Sequence, residues 1–301
     1  MTKASWCFFL AALLLGCGGA PRVSNGADAS DGDGSAAIAA ALRGSQRSPG
    51  AADRDQYRHP VETLAFFGFT PTMTVLDIGP GGQGRGAYYT ELLAPVLAKE
   101  GHYLATNWHP PSTAPESSAH HWSAYEGVRF DALLHAAPEL YGKVQVIRVD
   151  YQAPQLNLDG KLDMVLLMRE VHMMKNWGTL DAWLREIHRA LKPNGILGVE
   201  EHRAAPGANA EESVTKGYLP EAWVIEKIEA AGFALAGKSE INANPRDTKD
   251  YPNGVWSLPP SFQAGPEYAP ADARDRAKYG AIGESDRMTL KFVRVAGGAA
   301  R

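Results

Sequence analysis

Thr72-Met73-Thr74-Val75-Leu76-Asp77-Ile78-Gly79-Pro80-Gly81-Gly82 is the stretch on which the fold turns. Its β-branched and apolar residues end abruptly in glycines, which reads as a buried strand entering a glycine-rich turn. Residues 88–97 follow, with Tyr89, Leu92, Leu93, Val96 and Leu97 at helical spacing. The unit is therefore strand, turn, helix. Upstream, residues 59–68 read as a short helix, with Pro60 suited to its first turn and Gly68 to its C-terminal stop.

The alternation continues downstream. Strands are expected at 103–107, 144–149, 164–168, 196–200, 233–241 and 288–295, and helices at 130–140, 179–191 and 220–231. The helix over 179–191 has the clearest face, formed by Leu180, Trp183, Leu184, Ile187 and Leu191, and Lys192-Pro193-Asn194-Gly195 ends it. Strands alternating with helices specify an α/β fold, a mostly parallel sheet covered on both faces. Residues 242–287, rich in Pro, Gly and Asp, show no clear period and read as a long loop insertion, functional or disordered.

The glycine turn has a simple use. Glycines let the backbone bend sharply and approach a ligand, and the following helix N-terminus offers free N–H groups to an anion. Alone, that would suit NAD as well. With Asp77 before it, the turn resembles the first motif of class I S-adenosylmethionine-dependent methyltransferases. The resemblance implies a doubly wound, Rossmann-like, seven-stranded sheet with an antiparallel last strand. It also implies S-adenosylmethionine as cofactor, with Gly79, Gly81 and Gly82 near the methionyl carboxylate and Asp77 near its ammonium. Asp150, after the strand at 144–149, stands where such enzymes place an acid near the adenine amino group, and Tyr151 is set to pack on the ring. Two departures stand out. Gln83-Gly84-Arg85-Gly86 lengthens the turn, and the second strand ends in Asn107 where these enzymes carry an acid for the ribose. An amide lacks the charge that strengthens carboxylate contacts.

The chain also resembles a family of bacterial predicted methyltransferases, from Tyr57 to Arg294. The matching stretches include Tyr57-Arg58-His59-Pro60, Tyr88-Tyr89-Thr90-Glu91-Leu92-Leu93-Ala94-Pro95, Glu201-His202-Arg203-Ala204 and Ile282-Gly283-Glu284-Ser285-Asp286-Arg287-Met288. The resemblance names no substrate. Methyl transfer needs alignment above all, and a general base only where the acceptor must lose a proton. His202, Glu170 and His172 are the candidate catalytic residues, followed by Glu201, while His59 and Tyr57 are placed to cap the pocket. The histidines lack the His-x-x-x-His spacing of a helical zinc site, so no metal is expected. There is no Gly-x-Ser-x-Gly hydrolase turn. Ser285-Asp286-Arg287 reads as a turn that fastens the long loop by salt bridge and capping.

Composition narrows the rest. The 301 residues are 45% hydrophobic and 21% charged, enough for one sizeable core, and a net charge of −4 leaves no basic footprint for nucleic acid. Residues 1–17 combine Lys3, an apolar run too short to span a bilayer, and Leu14-Leu15-Gly16-Cys17, which resembles a bacterial lipobox. A signal peptide, lipidation at Cys17 and anchoring at a membrane surface in the cell envelope are therefore expected. Cys7 and Cys17 are the only cysteines, so the domain carries no disulfide and no thiolate nucleophile. Residues 18–56 are rich in Gly, Ala, Ser and Asp and read as a disordered linker to a domain over 57–301. The leading expectation is a methyltransferase for a small molecule. Export conflicts with a cytoplasmic cofactor, so the alternative is a lipoprotein keeping the fold as a non-catalytic ligand-binding module. An NAD-type oxidoreductase comes third.

Overall fold

The structure is a computed structural model, and it describes residues 31–81, 87–108 and 119–295. Cys17, Gly82, Arg85 and His109 lie outside the described residues. Seven strands, β1 (Thr74–Ile78), β2 (His102–Trp108), β3 (Gln145–Val149), β4 (Leu162–Met168), β5 (Leu191–His202), β6 (Phe233–Ser239) and β7 (Arg287–Arg294), form one sheet in the order β3-β2-β1-β4-β5-β7-β6. The β1–β2, β1–β4, β2–β3 and β4–β5 pairs are parallel, and β7 runs antiparallel to both β5 and β6. This is the class I methyltransferase Rossmann-like arrangement expected from the sequence.

The helices are α1 (Asp31–Ala41), α2 (Asp55–Arg58), α3 (Pro60–Phe67), α4 (Thr90–Glu100), α5 (Ala119–Ala136), α6 (Pro138–Tyr141), α7 (Val171–Asn176), α8 (Leu180–Ala190), α9 (Ala210–Ser213), α10 (Glu221–Ala230) and α11 (Ala273–Ile282). Among the described residues no helix is long and apolar enough to cross a membrane. Alternation along the strands divides the core in two. Val75, Met164 and Leu166 face a cluster with Leu64 and Phe67 of α3 and Leu92 and Leu93 of α4. Leu76, Val165 and Leu167 face the other side, where Trp183, Leu184 and Ile187 of α8 meet Val224 and Ile228 of α10. The apolar stripe foreseen on α8 is the stripe it buries.

Three expectations need correction. Residues 18–56 are not linker throughout: α1 packs on α3 and α4, with Ile38 fully buried. Gly34 allows the approach, because a Cβ there would sit 2.3 Å from the Phe69 carbonyl oxygen. Small side chains do this packing, and a count of large hydrophobes does not register them. The helix expected at 130–140 starts earlier, at Ala119, and breaks before Pro138, which opens α6. The insertion over 242–287 is ordered. It has its own small core of Tyr251, Leu258, Ala264 and Tyr279, and it contains α11. Its ends are tied by polar groups: Asn244 N–H donates to Asp286 (3.0 Å), and Asp286 N–H donates to Asp247 (2.8 Å).

Candidate active site

Ligands of open α/β sheets bind outside the carboxyl ends of the strands. In this sheet the ends of β1, β2, β4 and β5 open into one cavity of about 230 Å³, roofed by Trp256, Pro259 and Ser261 of the insertion. Asp77, Gly79, Gly81 and Asn107 line one half, and Glu170, His172 and His202 line the other. Residues from four strand ends, scattered from 77 to 202, thus converge.

The glycine half is built tightly. Gly79 has φ +67, and its N–H donates to Thr106 Oγ1 at 2.9 Å. A Cβ at Gly79 would meet the Glu170 carboxyl carbon at 2.6 Å, so glycine is what lets that carboxyl come close. Asp77 is buried and accepts from Tyr103 Oη at 2.8 Å. Burial pushes its carboxyl up to about 7, against the opposing pull of Tyr103 and Arg169. Asn107 donates through Nδ2 to the Gly127 carbonyl (3.1 Å) and to Asp131 (2.9 Å). Asp131 of α5 holds the Asn107 amide from behind, with its other oxygen held by Arg148 at 2.7 Å.

Two residues expected at the cofactor, Asp150 and Tyr151, are not among those that line the cavity. Tyr151 is buried beneath the site, its ring 5.0 Å from that of Trp177 and 4.9 Å from that of Trp183. Its hydroxyl donates to Glu170 at 3.0 Å, so it props that carboxyl from outside the cavity lining. Asp150 is exposed and accepts from the Gln152 N–H at 2.9 Å. His59 and Tyr57 do not cap the cavity either. His59 pairs with Asn242 at 3.2 Å, and the Tyr57 ring lies against Gly283. Strand-end position alone does not say which way a side chain turns.

The other half depends on an unusual turn. Arg169 has φ +68, a conformation uncommon outside glycine, and its N–H donates to the Glu200 carbonyl at 2.6 Å. The turn sends the Arg169 side chain to Glu200 (2.8 Å) and the next residue, Glu170, over Gly79. Burial pushes Glu170 up to about 8, with Tyr151 and Arg169 opposing and Glu201 and Asp77 adding to the rise. Glu201 is fully buried and accepts from the N–H groups of His172 (3.0 Å) and His202 (2.7 Å) and from His172 Nδ1 (2.9 Å). A carboxylate can only accept, so His172 Nδ1 carries a proton toward Glu201. His202 Nδ1 meets Ser285 Oγ at 2.5 Å. Desolvation first, then His172, Arg169, Arg287 and Arg58, hold His202 well below the usual imidazole range.

No metal was expected from linear spacing, yet ligand atoms of His172, Glu201 and His202 lie within 4.8 Å of one another. The fold makes this cluster, not a sequence period. Both Glu201 oxygens already accept N–H groups, and Arg169, Arg287 and Arg58, which act electrostatically on His202, would repel a dication. Glu201 fixes the orientation of the His172 ring through Nδ1, a geometry suited to proton transfer.

Arg169 at the end of β4 and Arg287 in the salt-bridging turn were legible in the sequence, whereas Arg54 and Arg58 carried no assigned role. Arg54 and Arg58 both pair through Nε with Glu284, at 3.1 and 3.0 Å. Arg287 bridges Glu200 (2.7 Å) and Glu284 (3.0 Å), and Arg54, Arg58 and Arg169 line the cavity. Arg58 and Glu284 both fall in stretches shared with the resembled family, which was the available signal.

No protein-family model matches the chain. No curated protein matches it. Among solved structures, a SAM-dependent methyltransferase from Aquifex aeolicus superposes with a TM-score of 0.50 at 16% identity, over 87% of this chain and 98% of its own. The [4+2]-cyclase SpnF superposes with a TM-score of 0.50 at 19% identity, over 89% of this chain and 97% of its own. At such identities the likeness is one of fold. The two neighbours are named for different reactions, so the architecture does not by itself select the chemistry.

Proposed function

We propose that the protein is an S-adenosylmethionine-dependent methyltransferase acting on a small molecule. The observation that carries this reading is the convergence on one cavity of the bare glycine turn at Gly79 and Gly81, the buried Asp77 and Asn107, and the Glu201-held His172. The residues fit the cofactor. Gly79 and Gly81 present backbone without side chains, Asp77 answers an ammonium, and Asn107, held by Asp131, answers hydroxyls. Bound there, S-adenosylmethionine supplies an electrophilic methyl group. The protein aligns the acceptor, Trp256 and the rest of the insertion exclude water, and His172 Nε2 takes a proton from an acceptor that must lose one. Glu201 orients the ring.

Calorimetric titration of the full chain with S-adenosylmethionine, S-adenosylhomocysteine and NAD tests the reading. Binding of the two sulfur compounds and not of NAD is expected, and failure of both to bind would remove it. The membrane anchor is a separate proposal, supported by Lys3, the apolar run and Cys17. Palmitate should label the wild-type chain and not Cys17→Ala. Equal labelling of the two would refute the anchor.

A further inference from the structure

The methyltransferase reading leaves the acceptor unspecified, and the arginines beside the cavity bear on it. Arg54, Arg58, Arg169 and Arg287 surround two carboxylates, Glu200 and Glu284. Four guanidiniums against two carboxylates leave excess positive charge. Asp55 is already matched by Arg47 at 2.7 Å and by the Tyr88 hydroxyl at 2.6 Å. The cavity carboxyls Asp77 and Glu170, which Arg169 also faces, are pushed up by burial to about 7 and about 8. Each of the three cavity-lining arginines uses one nitrogen on a glutamate: Nε of Arg54, Nε of Arg58 and Nη1 of Arg169. Arg58 is buried, and its Nη1 has no hydrogen-bond partner among the described residues. An enclosed N–H without an acceptor costs about 1–3 kcal/mol, so its retention calls for a partner. Burial and the neighbouring Arg169 also push Arg58 down to about 9, a tension that an added anion relieves.

Glu284, which holds Arg58, directly precedes Ser285, whose hydroxyl meets His202. Arg58 and Arg54 also lie over the Tyr88 ring at 4.7 and 5.4 Å. The arginines therefore share a wall with the histidines, where the acceptor would react.

We propose that Arg54, Arg58 and Arg169 form a receptor for an anionic group, a carboxylate or phosphate, carried by the methyl acceptor. The inference rests on the methyltransferase reading for the word acceptor, and on the arginine geometry for the anion. Planar forks with free N–H groups suit both anions.

The test titrates inorganic phosphate and benzoate into the full chain, with and without saturating S-adenosylhomocysteine. Saturable binding of at least one anion is expected, weakened about tenfold or more in Arg58→Gln. Arg58→Lys keeps the charge and should fall between the two. Affinity for S-adenosylhomocysteine should stay within about threefold of wild type. The proposal is overturned if neither anion binds saturably, or if Arg58→Gln binds them as wild type does. It is also overturned if Arg58→Gln loses S-adenosylhomocysteine but keeps 5′-methylthioadenosine, which lacks the carboxylate, because the arginines would then serve the cofactor. Should Arg58→Gln not fold, Arg54→Gln and Arg58→Lys carry the comparison. Absence of S-adenosylhomocysteine binding to wild type sinks the methyltransferase reading alone, since the titration without it still reads the anion site.

Discussion

Glu170 lies against Gly79, and its protonation is a property of the fold. Its carboxyl titrates near about 8 in the folded chain against about 4.3 when unfolded, and Asp77 near about 7 against about 3.9. Between those values the folded state holds protons that the unfolded chain has released, so stability falls as pH rises. In thermal unfolding without ligand, these two groups pull the midpoint down from about pH 4 to about pH 8, while His202, held neutral in the folded chain, pushes it up as pH rises to about 6.5. The Glu170 part is therefore read as a difference from the Glu170→Gln variant. Glu170→Gln cannot ionise and should decline less steeply over the same window. A variant with the wild-type slope would show that Glu170 is not the titrating group. Glu170, His172 and His202 were legible as candidates because they follow predicted strand ends. The roles of Tyr151 and Glu201 were not, because only side-chain direction shows Tyr151 under Glu170 and Glu201 behind His172.

At the scale of elements, α1 is the piece whose docking the composition concealed. Ile38 is fully buried, and Gly34 lets the helix close on the Phe69 carbonyl. Ile38→Ala should cost about 2–4 kcal/mol, from lost burial and the cavity left behind. Gly34→Ala should cost about 1–3 kcal/mol, because its methyl group meets backbone that cannot swing aside. Urea unfolding measures both, and values near zero would return α1 to the linker class. The strands and α8 were legible because each repeats its apolar residues at one period over its own length. The insertion over 242–287 has no such repeat. Its order comes from contacts such as Asn253 Nδ2 to the Gln263 and Gly265 carbonyls, at 2.6 and 2.8 Å.

Over the whole molecule, the buried charge cluster ties the two ends of the domain together. Arg58 reaches Glu284 across 226 residues, and Arg287 donates to the Tyr57 carbonyl at 2.5 Å. Burial works against ionisation of Glu284, yet Arg58, Arg287, Arg54 and Arg169 hold it well below the usual carboxylate range. Glu200 is likewise lowered, by Arg287, Arg169 and Arg58 against its burial. Their contribution is present above the unfolded carboxylate range and is lost only as pH falls through these lowered values. Arg287→Met leaves both glutamates short of a partner and should cost about 3–5 kcal/mol. The urea midpoint should fall with the slope unchanged, and a midpoint within error of wild type would contradict the cluster's structural role.

Local periodicity and turn chemistry determined the alternation of strands and helices, the glycine turn after β1 and hence the Rossmann-like architecture. Those signals lie within a few residues of one another, where the sequence order is also the spatial order. Tertiary structure decided which strand-end side chains enter the cavity. It set Asp131 beside Asn107, turned Tyr151 into the core and gathered His172, Glu201, His202 and Ser285. It also assembled the arginines around Glu200 and Glu284. These groups meet only because parallel crossovers bring distant strand ends to one edge, and no spacing along the chain records that meeting.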